Sequence, residues 1–125
     1  VKKTLIMLVI FGTFFSCFTD VNAKPTNDNQ VNCDTLEAMF ITLLNPLSVE
    51  IILERIGGQG MSYSLSDAKI LDIERPEVGG FRFITTIRYN SYTGPHNPPY
   101  GIEILTYDIT ASGAKLLNYT HKIIN

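Results

Sequence analysis

The chain has no tryptophan, two cysteines and two histidines in 125 residues. So few cysteines exclude a disulfide framework, and the fold must stand on its apolar core. His96 and His121 are 25 positions apart with no third ligand at recognisable spacing, so no zinc site is expected. Basic residues are also scarce. Ten Lys and Arg against twelve Asp and Glu give a net charge of −2, which excludes a basic nucleic-acid binder. Phosphate-binding glycine loops, serine-nucleophile motifs and paired catalytic carboxylates are all missing. Nothing in the residues calls for a cofactor. A chain this short supports one domain with a small core, and neither a multi-domain enzyme nor a long solenoid.

What the sequence does have begins with an apolar leader. Residues 1–23 supply 14 of the 56 apolar residues. Lys2 and Lys3 form a short positive region, an apolar run follows from Thr4 to Phe18, and Val21-Asn22-Ala23 matches a cleavage site with a small residue at its end. That run spans about 15 residues, short of the roughly 20 that cross a bilayer. The pattern therefore favours a signal peptide cleaved after Ala23 and a secreted or surface-exposed product. Two alternatives tether the domain to a membrane: an uncleaved anchor, or lipid attachment at Cys17. The second fits less well, because Phe14-Phe15-Ser16 supplies only one of the small residues such signals use. After cleavage Cys33 is the sole thiol, free to pair only between chains, and a Cys33-linked dimer is one expectation.

Residues 24–32 are polar and patternless, a flexible spacer ahead of a single domain over 33–125. Asp34 and Glu37 have the spacing of a capping box. Leu36, Met39, Phe40, Leu43, Leu44 and Leu47 then recur at helical intervals until Pro46 interrupts them. With Asn45 as a new cap, the spacing predicts two short helices, 35–44 and 46–56, ended by Gly57-Gly58. A glycine-rich loop covers 57–64. From there the period changes to two, with strands expected over 68–75, 81–90, 102–110 and 115–123. Phe81, Phe83, Thr85, Ile87 and Tyr89 alternate strictly with polar or smaller partners. On the last strand, Leu117, Tyr119, His121 and Ile123 share a face. Helices followed by strands define an α+β fold. The expected architecture is two N-terminal helices on a four-stranded antiparallel meander, a cystatin-like arrangement.

The most unusual segment is Gly94-Pro95-His96-Asn97-Pro98-Pro99-Tyr100-Gly101. Its three prolines stiffen a long connection between strands, so that His96, Asn97, Pro98, Pro99 and Tyr100 form a candidate binding loop. The plainer reading is a shaped crossover whose tyrosine only packs. Cys33, beside a helix start, could act as a nucleophile with His96 or His121, although neither histidine lies in a cysteine-hydrolase motif. Asp72, Glu74, Glu77 and Glu103 read as solvated surface.

Thr42-Leu43-Leu44-Asn45-Pro46, Asp67 through Arg75, Gly79-Gly80-Phe81-Arg82-Phe83 and His96-Asn97-Pro98-Pro99-Tyr100-Gly101 together resemble a family of short exported proteins from spore-forming Gram-positive bacteria, a domain of unknown function. The resemblance runs from about Asp34 to His121, and the chain departs from it at Arg55-Ile56, where members carry an aromatic pair. It implies an extracytoplasmic bacterial protein and assigns no activity and no catalytic residue. The residues and the resemblance together point to a non-catalytic module that binds a protein, a peptide or an envelope component.

Overall fold

The structure, a computed structural model, describes residues 31–124. The leader, its cleavage site, Cys17 and most of the spacer lie outside the described residues. One helix, α1 (Cys33–Ile56), replaces the two expected. It runs straight past Pro46, whose missing N–H leaves the Thr42 carbonyl without its usual partner four residues on. The reason is tertiary. Ile41, Leu44, Ser48, Ile52 and Ile56 form one buried row across the proline, and ending the helix there would take half of that row off the sheet. Pro46 itself is exposed, so its ring meets water.

The cap differs as well. Asn32 rather than Asp34 is the N-cap, its side chain accepting the Asp34 N–H at 2.9 Å. Glu37 does not close a box; its Oε1 accepts the Ile70 N–H at 2.9 Å and its Oε2 lies 3.9 Å from Lys69 Nζ. Asn45 caps nothing either. Its side-chain oxygen accepts the Tyr63 hydroxyl at 2.7 Å, tying mid-helix to the sheet.

Five antiparallel strands follow, one more than expected: β1 (Met61–Tyr63), β2 (Lys69–Glu74), β3 (Phe83–Thr93), β4 (Asn97–Thr110) and β5 (Gly113–Ile124). The extra strand is β1, inside the segment read as a glycine-rich loop. It pairs with the end of β3 (Met61 opposite Thr93), while β2 pairs with the beginning of β3 (Glu74 opposite Ile84). A short 3-10 turn, Leu65–Asp67, separates these two pieces of one sheet edge. The remaining strands pair in chain order, β3 to β4 to β5. At the far corner Arg82 forks onto Asp108 at 2.9 and 2.8 Å; that hydrogen bond first, and the guanidinium charge with it, holds the Asp108 carboxyl below its usual range.

Strict alternation on β3 and β4 puts Ile87, Tyr89, Leu105 and Tyr107 beneath α1, fully buried with Ile52 and Ile56. One hydroxyl organises this core. Ser48 Oγ lies 3.1 Å from the Leu44 carbonyl and 2.8 Å from each of the Tyr89 and Tyr107 hydroxyls. Ser48 donates to the carbonyl, and its two lone pairs accept from the tyrosines, so all three hydroxyls are satisfied, whereas the buried Thr85 Oγ1 on the same face of β3 has no partner. On β5 a register shift at Leu117 breaks the expected face: Leu116 packs inward opposite Tyr107, and Leu117 is exposed, while Tyr119 and His121 return to the inner side.

Residues 33–59 are long and apolar enough to cross a membrane by length and composition, yet the buried row of α1 is packed against the sheet. Only 22% of its most apolar stretch is buried, and Leu36, Met39, Leu43 and Leu53 are exposed on it.

Candidate functional site

The connection between β3 and β4 is shorter than the sequence suggests. β3 continues to Thr93 and β4 starts at Asn97, so the turn proper is Gly94, Pro95 and His96. Thr93 lies opposite Asn97, and a register shift between Ser91 and Thr93 takes up the extra length of Pro98, Pro99 and Tyr100. The prolines thus belong to an irregular, exposed strand end, with the Pro98–Pro99 peptide cis.

His96 has a left-handed backbone, φ 64°, unusual for a residue with a side chain. Three contacts hold it there. Its N–H donates to the Gly94 carbonyl at 3.0 Å, its carbonyl accepts the Tyr100 hydroxyl at 3.1 Å, and its ring stacks on Tyr92 with centroids 3.9 Å apart. Such over-determined strain collects where a side chain must be presented in one orientation. Tyr100, 45% exposed, stands across from Ile124 of β5.

These side chains border a cleft of about 360 Å³, lined by Asp67, Asn90, Ser91, Tyr92, His96, Tyr100, Gly101 and Ile124. Of the residues singled out from sequence, the structure brings His96 and Tyr100 together here. Asn97, Pro98 and Pro99 do not line the cleft. Asn90, Tyr92 and Asp67 were missed. Alternation along β3 was signal enough for the first two, since both face away from the helix beside the turn. Asp67 carries no such signal, because a 3-10 turn between strand fragments delivers it.

Adjoining the cleft, and sharing Ser91 with it, is a second feature that sequence reasoning placed wrongly. Glu103 is no surface acid: it is 0% exposed, on the helix side of β4. Its Oε1 accepts Ser91 Oγ at 2.6 Å and His121 Nδ1 at 2.7 Å, and its Oε2 accepts the Tyr119 hydroxyl at 2.5 Å. Three donors onto one carboxylate compensate its removal from water. The His121 side chain is 25% exposed and connects this network to solvent. Tyr119 is held protonated, its pKa raised by burial first and then by the hydrogen bond to Glu103 and the charge there. Arg55 lies over the same ring, 5.8 Å from its centroid. The clue was available: Gly101, Glu103, Leu105 and Tyr107 occupy alternate positions, so a core face for two of them implies it for the acid.

Cys33 sits apart from both histidines. It is exposed at the first turn of α1 and borders a separate apolar groove of about 460 Å³ with Leu36, Met39, Phe40, Ile70 and Ile73. Ile73 faces Thr85, whereas His96 stacks on Tyr92 seven residues further along β3, so strand rise alone puts about 20 Å between the thiol's groove and that imidazole. His121 Nδ1 is engaged by Glu103, and no hydrogen bond joins it to Cys33 among the described residues. The structure therefore does not assemble the cysteine–histidine pair.

One helix laid across a five-stranded antiparallel sheet, with a polar-aromatic cleft at the β3–β4 turn, defines a small α+β domain. A family model for a protein of unknown function (DUF3888) matches residues 36–122, and the chain belongs to that family. Comparison with curated proteins and with solved structures finds no match for this chain.

Proposed function

We propose that the protein is an exported, non-catalytic domain that binds part of a protein, peptide or envelope component in the cleft at the β3–β4 turn. The observation carrying this reading is His96: a strained residue, stacked on Tyr92 and bonded by Tyr100, on the rim of an open cleft. The core gains nothing from strain at an exposed turn, whereas a partner gains a surface already ordered before it docks. Export is supported by the Lys2-Lys3 start, the apolar run and the Val21-Asn22-Ala23 site, and by the likeness to exported proteins of spore-forming Gram-positive bacteria. Measuring the mass of the protein recovered from the medium tests that half: an N-terminus at Lys24 fits, and a retained leader or a lipid on Cys17 replaces it with a tethered domain.

Tyr100→Ala tests the binding half. The variant, compared with the parent for retention of components from the native envelope, is expected to lose capture while unfolding at nearly the same temperature. Half-exposed as it is, Tyr100 contributes roughly 1 kcal/mol or less to stability. Full capture by the variant, or a stability loss of about 3 kcal/mol as for a buried aromatic, overturns the reading and leaves the segment as a structural crossover.

A further inference from the structure

We propose that the cleft accepts a cation, the ammonium or guanidinium head of a basic side chain on a peptide partner. The inference rests on the binding reading above and adds the chemistry of what is bound. Asp67 is the one carboxylate lining the cleft, it is exposed, and no ion pair or side-chain hydrogen bond engages it among the described residues. No lysine or arginine lines the cleft; Arg88, two positions before Asn90 on β3, lies outside it. Asp67 is thus the one acid on a wall without lysine or arginine, and its charge favours a cation docking beside it.

The rest of the wall suits the same ligand. Tyr92 and His96 stack into one aromatic slab, and Tyr100 adds a third ring beside it. Aromatic faces attract ammonium and guanidinium groups through their quadrupole. Tyr100 keeps its hydroxyl on the His96 carbonyl, which fixes that ring. Ile124, partly exposed at the end of β5, supplies an apolar strip for the methylene stem of a lysine or arginine, which buries its carbons while its head reaches the acid. A cleft of about 360 Å³ falls at the lower end of the size range of small-ligand sites, room enough for one side chain.

The test is an NMR titration of the isotope-labelled full chain, at low ionic strength, with three capped amino acids: N-acetyl-lysinamide, N-acetyl-argininamide and the neutral N-acetyl-glutaminamide. At least one cation is expected to shift the Asp67, Tyr92 and Tyr100 signals saturably, binding about two- to fivefold tighter than the neutral probe, the scale of one exposed charge pair. Asp67→Asn should remove that advantage and leave the neutral probe unchanged. The relative affinity of the two cations tells which head group the aromatic slab prefers. Equal binding by all three probes, with the same signals moving, overturns the cation assignment while the binding reading stands. An Asp67→Asn variant that binds the cations as tightly as the parent overturns it too. No saturable shift at these residues by either cation, together with a Tyr100→Ala variant that retains capture, removes both.

Discussion

Gly101 lies directly opposite Ser91, so close that a Cβ on the glycine would collide with the serine Oγ. The same Cβ would stand 3.1 Å from Glu103 Oε1 and 3.3 Å from His121 Cε1. The glycine is there for space, since the buried carboxylate network occupies the volume a side chain would need. Gly101→Ala is expected to swing Ser91 off Glu103 and cost roughly 2 kcal/mol, the worth of a hydrogen bond to a buried charge. In a Ser91→Ala background the same change should cost clearly less, because the obstructing oxygen and its bond are already gone. Chemical denaturation of the four proteins in this cycle reads the coupling. Strictly additive losses would mean that the two residues do not compete for one space.

Pro46 gives a prediction of opposite sign. It interrupts the bonding of α1 at an exposed position, so the ring contributes no burial to set against the lost bond. Pro46→Ala is expected to raise stability by about 1 kcal/mol: the restored helix bond is worth more than that, and the greater freedom of the unfolded chain takes part of it back. A lower midpoint in urea would show instead that the proline sets the path by which Ser48 reaches its two tyrosines.

The tyrosines predict alkaline behaviour. Burial, and Tyr89 beside it, push Tyr63 from 10.0 up to about 12. Burial likewise raises Tyr89 and Tyr107, the latter more strongly, against a smaller opposing effect of Ser48. A folded-state pKa above the unfolded value means that the unfolded chain releases its proton first. The stabilisation is therefore complete below pH 10 and declines as the pH climbs from 10 toward about 12. Absorbance of tyrosinate should lag behind that of a denatured control over this window and then catch up in one cooperative step with loss of the helical dichroism signal. Smooth, independent ionisation with the fold intact would contradict the burial of these hydroxyls.

Much of this fold is legible in the residues, and the failures have distinct physical causes. The period-two alternation of β3 is local information, and it locates Ile87 and Tyr89 in the core. The helical period from Leu36 onward is local too, but the face read from it is not the buried one: Leu36, Met39 and Leu43 are exposed, and Ile41, Leu44, Ser48, Ile52 and Ile56 meet the sheet. Pro46 misleads because the energy keeping α1 continuous comes from the sheet on either side of the proline, which no window of sequence contains. Asn97 to Tyr100 misleads in the other direction: Pro98 and Pro99 look like a loop, yet an irregular strand end accommodates them where few backbone donors are needed. Leu117 and Leu116 exchange faces through a register shift that one extra residue creates. His96 and Tyr100 were visible as an unusual segment. Their partner Asp67 was not, since it comes from 25 or more residues away and meets them only through the sheet.

The two borders of the sheet carry a consequence for behaviour at high concentration. One border is divided between β1 and β2 by the turn at Leu65–Asp67 and shifts register again between Ile70 and Asp72. The other, β5, is broken at Leu117 and bears Lys115 and Lys122. Fibril growth needs a long, flat, uncharged row of free amides and carbonyls onto which a second chain can zip. Neither border offers one, so the molecule can leave its sheet unclosed and still resist polymerising edge to edge.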